Sequence, residues 1–124
     1  MANTLRVSMR LRYSNDGGAS MQMSGIEQTQ TLTSRIRVQG VQEIGTSAEV
    51  IDLATLATDG GPAYFFNQDA DNFVEIGRTI SASFEAFLKI PPNTGAFLPG
   101  VSDKDLYAKA DTAAVFLEYV IWEP

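Results

Sequence analysis

The 124-residue chain contains no cysteine, no histidine and a single tryptophan. Without thiols there is neither a disulfide framework nor a thiolate metal site. Without imidazole the usual general base and the commonest transition-metal ligand are missing, and a Ser-His dyad cannot be built. No continuous apolar run approaches the roughly 18 residues that a spanning helix needs. The opening Met1-Ala2-Asn3-Thr4 lacks the basic and apolar segments of a secretory signal. No Gly-rich phosphate loop stands between a strand and a helix. These absences argue against an enzyme, a resident cofactor and a membrane partner. They favour a protein that stays soluble where it is made.

What is present suits one domain over residues 1–124. A hydrophobic content of 44% supports a single core without covalent staples. The net charge of −6 is unevenly placed. Residues 1–42 carry five basic and two acidic side chains, whereas residues 43–124 carry four and thirteen. The asymmetry suggests a polarised molecule with one basic surface, unless interleaved strands spread the charges out.

The chain reads as strands throughout. Leu5, Val7, Met9 and Leu11 alternate with Arg6, Ser8, Arg10 and Arg12, the period of a half-buried strand. Asn15-Asp16-Gly17-Gly18 predicts a turn. The polar, Thr/Gln-rich stretch from Met21 to Leu32, bent or bulged at Gly25, reads as an edge strand or exposed arm spanning about residues 17–33. Arg35 to Val38 alternates again. Ala48 to Leu56 fits a strand better than a helix, because Thr46-Ser47 and Asp59-Gly60-Gly61-Pro62 bracket it closely. Further strands are expected over 63–67, 72–77, 83–90, 96–99, 105–110 and 113–122. Turn signals recurring every 8 to 12 residues indicate an all-β fold. The expectation is a single antiparallel β-sandwich, jelly-roll-like, with short loops and an extended N-terminal region.

Few constellations carry chemistry. Asp69, Asp71, Glu75 and Glu85 supply carboxylates of the glycosidase kind, but a solvated corner and an outward strand face explain them better. A Ser-Lys pairing would need Lys89, Lys104 or Lys109, and no motif surrounds them. Asp69-Ala70-Asp71-Asn72 has the oxygens a hard cation takes, yet Asp and Asn are also what a tight turn needs. Turn chemistry is the preferred reading.

The binding candidates are Arg6, Arg10 and Arg12 on one strand face, together with Tyr64, Phe116, Val120 and Trp122. Three guanidiniums in a row suit carboxylates or phosphates. On an acidic protein, one stripe without aromatics is a weak footprint for nucleic acid, so an acidic protein surface is the better match. The plain alternative is an ordinary solvated strand face. Consecutive Tyr64-Phe65-Phe66 cannot all point inward. The last strand is apolar on both faces, with Phe116, Val120 and Trp122 opposite Val115, Leu117, Tyr119 and Ile121. A strand of that kind must be covered twice, which predicts an oligomer.

Three motifs stand in order in the C-terminal half: Asn67-Gln68-Asp69-Ala70-Asp71-Asn72-Phe73-Val74-Glu75-Ile76-Gly77, then Phe97-Leu98-Pro99-Gly100, then Leu106-Tyr107-Ala108-Lys109-Ala110. A closing apolar strand follows them. This succession resembles small structural proteins of tailed-phage virions. The resemblance implies a non-enzymatic particle component, most specifically a capsid decoration (cement) protein, often a trimer. Its implied partner is the major capsid protein or another virion protein, and its location the virion, assembled in the host cytoplasm. A tail, neck or baseplate component and a carbohydrate-binding sandwich are the alternatives.

Overall fold

Period-two apolar alternation makes the strands, and pairing them back along the chain makes the sheets. The computed structural model describes residues 3–14, 17–18, 20–34, 36–53, 60–101 and 105–124, without the side chains of 20 and 24–26. Residues Asn15-Asp16, Arg35, Asp59, Lys104 and the end of the expected 48–56 strand lie outside that description. Two units result, Met1–Ser34 and Arg35–Pro124. The sandwich expected over 1–124 therefore occupies the second unit alone.

The first unit is an antiparallel ribbon of β1 (Asn3–Ser14) and β2 (Ser20–Leu32). Asn3 faces Leu32 at one end and Ser14 faces Ser20 at the other. The register slips between Met9 and Leu11, which lie opposite Ile26 and Met23, so the extra residue falls near Gly25. Gly18 takes a positive φ of 81° in the connecting turn, a conformation open to glycine at little cost.

The second unit holds β3 (Arg37–Ile44), β4 (Glu49–Val50), β5 (Ala63–Asn67), β6 (Val74–Ile80), β7 (Ser83–Ile90), β8 (Gly95–Leu98), β9 (Tyr107–Ala110) and β10 (Val115–Trp122). Its pairing is nested: β3 with β10, β4 with β9, β5 with β8, β6 with β7, all antiparallel. Two further ladders, β10 with β5 and β6 with β9, roll that long hairpin into sheets ordered β3-β10-β5-β8 and β4-β9-β6-β7. The unit is an antiparallel β-sandwich.

Ile44, Phe65, Leu117, Ile121, Ile76, Ile90 and Leu106 fill the space between the sheets, each at most 1% exposed. Burial of each such side chain contributes roughly 1.5–3 kcal/mol. One lateral edge is closed by Gln42, whose amide imitates a peptide. Its Nε2 donates to the Val50 carbonyl at 3.0 Å, and its Oε1 accepts from the Asp52 N–H at 3.0 Å. The adjoining strand is shorter than the sequence suggests. Among the described residues, Glu49 and Val50 alone form a ladder there, and Ile51 adds one bond to the Leu106 carbonyl at 2.8 Å.

The β6–β7 hairpin outruns the expected end at Gly77 because a bulge lies there. Ile76 faces Leu88 and Gly77 faces Ala86, leaving Phe87 unpaired and 54% exposed. A Cβ on Gly77 would run into the Glu85 carbonyl and sit 2.8 Å from the Ala86 Cα, both backbone atoms with nowhere to move. At the tip, Ser81 (φ 51°) and Ala82 (φ 66°) both take the left-handed conformation that a type I′ turn demands.

Gly77→Ala should destabilise the fold by about 3 kcal/mol, the upper end of overpacking costs, in denaturant unfolding. Ser81→Asn with Ala82→Gly should act in the opposite direction, adding about 1 kcal/mol by relieving the turn.

Candidate interaction surfaces

The sheet β3-β10-β5-β8 buries one face and leaves the other bare. Alternation along β10 sends Val115, Leu117, Tyr119 and Ile121 inward, so Phe116, Glu118, Val120 and Trp122 project outward. Register then carries the outward row across the sheet: Gln39, Val120, Tyr64 and Phe97 lie side by side, flanked by Val41, Glu118, Phe66 and Gly95. Phe116 is 53% exposed, Val41 54% and Tyr64 37%, while Val120, Phe66, Phe97 and Trp122 are half-buried. From Phe116 to Trp122 is six residues, about 20 Å of strand. The face is therefore a broad apolar and aromatic surface with Arg37 and Glu43 at its margin on β3, interrupted on β10 by Glu118, which accepts from Gln68 Nε2 at 2.9 Å.

Tyr64 lies across this surface because Gly95 leaves room for it. A Cβ on Gly95 would collide with the Tyr64 hydroxyl and stand 2.9 Å from Cζ. An aromatic ring covering a cross-strand glycine restores packing that the glycine cannot supply, and here it presents the ring's other side outward.

The ribbon carries a second bare face. Leu5, Val7, Met9, Leu11 and Tyr13 share one side of β1, and the register sets Met23 opposite Leu11 and Met21 opposite Tyr13. Towards the tip these side chains are open: Met9 38%, Leu11 46%, Tyr13 56%, Met21 52% and Met23 47% exposed. The expected half-buried strand is therefore met only at Leu5 and Val7, and the same face is open from Met9 onward. Arg6, Arg10 and Arg12 are exposed, and Arg6 Nε is 3.5 Å from Glu27 Oε1. A surface pair of that kind contributes little to stability.

The acidic corner is built as a turn. Asp69 Oδ2 accepts from the Asn72 N–H at 2.6 Å, the Asp71 N–H at 3.0 Å and Asn72 Nδ2 at 3.2 Å. Those bonds, the backbone pair first, hold its carboxyl below the usual carboxylate range. Beneath it, buried Asn67 donates to the carbonyls of Asn72, Ile90 and Pro91 at 2.8, 3.2 and 3.3 Å and accepts from the Asp69 N–H at 2.9 Å. Lys89 Nζ stacks over the Phe73 ring at 4.1 Å. On the inner side Tyr119 donates to the Asp52 carbonyl at 3.0 Å, and burial, with the Asp52 charge, pushes its phenol pKa up.

Of the residues singled out from sequence, Tyr64, Phe116, Val120 and Trp122 fall on one outward face, while the three arginines belong to the ribbon. Val41, Phe66 and Phe97 complete the face and were not anticipated, because only cross-strand register brings them together. The exposed face around Met21 and Met23 was hidden in a stretch that reads as polar.

A carboxyl held low in the folded state contributes stability above its ordinary value and loses it as pH falls through the lower folded value. Melting temperature should therefore drop on acidification below the usual carboxylate range, and Asp69→Asn should flatten that drop in thermal scans across the acidic range.

No family model, curated protein or solved structure matches this chain.

Proposed function

We propose that this chain is a non-enzymatic structural protein of a tailed-phage particle, most specifically a capsid decoration protein that binds the outer shell and stabilises it. The strand order supports the class. A long antiparallel hairpin rolled into two four-stranded sheets, β3-β10-β5-β8 over β4-β9-β6-β7, fits the jelly-roll arrangement used by viral capsid and lectin domains. Because one fold serves many functions, the surface must choose among them. The observation that carries the reading is the bare apolar face of β10 and its neighbours, with Phe116 53% and Val41 54% exposed. A contiguous patch of that kind marks an interaction site.

In this reading the apolar face buries between copies of a homo-oligomer, with a trimer expected. Arg6, Arg10 and Arg12 reach acidic groups on the shell, the major capsid protein being the partner. A standard contact buries roughly 1,200–2,000 Å² in total, and repetition over the particle multiplies a modest affinity. Purified protein should bind empty shells in hundreds of copies per particle, and Arg6→Ala with Arg12→Ala should weaken that binding about tenfold. Tens of copies or fewer would instead place the chain in the tail, neck or baseplate. Absence of any affinity for shells or tails would refute the particle reading.

Tyr64, spread over Gly95 with one side of its ring outward, favours a second reading as a carbohydrate-binding module. Glycan binding abolished by Tyr64→Ala, with no affinity for shells, would establish it.

A further inference from the structure

We infer that the apolar face of the β1–β2 ribbon of one copy docks on the outer face of the β3-β10-β5-β8 sheet of a second copy. A lone two-stranded ribbon is marginal in water, and this one exposes Leu11, Tyr13, Met21 and Met23 by 46–56%. The sheet face offers Tyr64, Phe116 and Val120 in the same condition, exposed or half-buried. The largest apolar patch of a typical monomer is on the order of 500 Å². Two faces of that size set together would bury on the order of 1,000 Å², where specific interfaces begin. Every copy would give one such contact and receive another.

Charge selects this pairing over ribbon against ribbon. Residues 1–34 hold three basic and two acidic side chains, whereas residues 35–124 hold six and thirteen, a net charge of −7. On the sheet's outer face itself Glu43 and Glu118 stand against Arg37, which leaves that face net negative. A ribbon on a neighbour's sheet brings a segment of net charge +1 towards one of −7, with the charges flanking the apolar contact, while two ribbons together bring like charges near and leave the sheet uncovered. Methionine adapts its shape to an aromatic surface, which suits Met21 and Met23 to this seat. Head-to-tail contacts make rings when the rotation between copies closes and filaments when it does not, and a closed trimer is the arrangement expected here. The ribbon's arginine side stays outward. Nothing here depends on a phage shell, so the test stands apart from shell binding.

The test is complementation between two full-length variants, read by analytical ultracentrifugation. Leu11→Glu with Met23→Glu disables the ribbon, and Phe116→Glu with Val120→Glu disables the sheet face. The wild-type chain should form a closed oligomer and each variant alone should be a monomer. Mixed, the two should form a 1:1 heterodimer, because each supplies the surface the other lacks. Wild-type protein that is monomeric overturns the inference. So does a mixture that stays monomeric, or a sheet-face variant that still self-associates, as ribbon-to-ribbon pairing requires. Should either double variant lose its β-sheet circular dichroism, Met23→Gln and Val120→Gln serve instead, each expected to weaken association about tenfold.

Discussion

One constraint governs this molecule: its central strand is apolar on both faces, and a two-layer sandwich can bury only one. β10 pairs with β3 on one side and β5 on the other, so it cannot turn away or move to an edge. Its inner residues Val115, Leu117 and Ile121 are wholly buried, and strand geometry then obliges Phe116, Val120 and Trp122 to stand on the outside. Shifting the register by one residue would only exchange the two sets. The outer apolar face is therefore a consequence of the core.

The rest of the sandwich holds that strand in place with polar devices confined to its margins. Asn67 ties the end of β5 to the ends of β6 and β7 through four hydrogen bonds, so a buried amide is fully used. Gln42 joins the two sheets at the β3–β4 edge with bonds to backbone on either side of Ile51. Glu49 reinforces the same edge by accepting from the Gly45 N–H at 3.1 Å. Gly77 lets β7 bulge against β6 and aims Phe87 outward. These contacts fix where the strands end; the apolar layer fixes how they stack.

Much of this was legible in the chain. The strands 63–67 and 83–90 appear with the expected bounds, and 115–122 lies within the expected 113–122, because strict alternation and flanking turn residues define them. The Asp69 corner also follows from its composition, since Asp and Asn bond their own backbone. Other features were hidden for physical reasons. Alternation along β1 reports an apolar face but not what covers it, so a bare ribbon and a core strand read alike. The two-residue β4 leaves no periodicity to detect. Gly77 looks like a strand end, yet glycine also admits a bulge, and the strand runs on to Ile80. The outward set of Val41, Phe66 and Phe97 comes from three strands far apart in sequence, and only pairing assembles it.

Two exposed apolar faces on one chain, a cationic ribbon and an acidic sandwich are the observations behind the proposal that copies of this chain cover one another. Methionine oxidation in the full-length protein probes that claim most directly, because Met9, Met21 and Met23 all lie on the ribbon's exposed face and a thioether reacts according to its access to peroxide. At concentrations where copies associate, these methionines should oxidise far more slowly than after dilution. Oxidation at the same fast rate at every concentration would contradict the account.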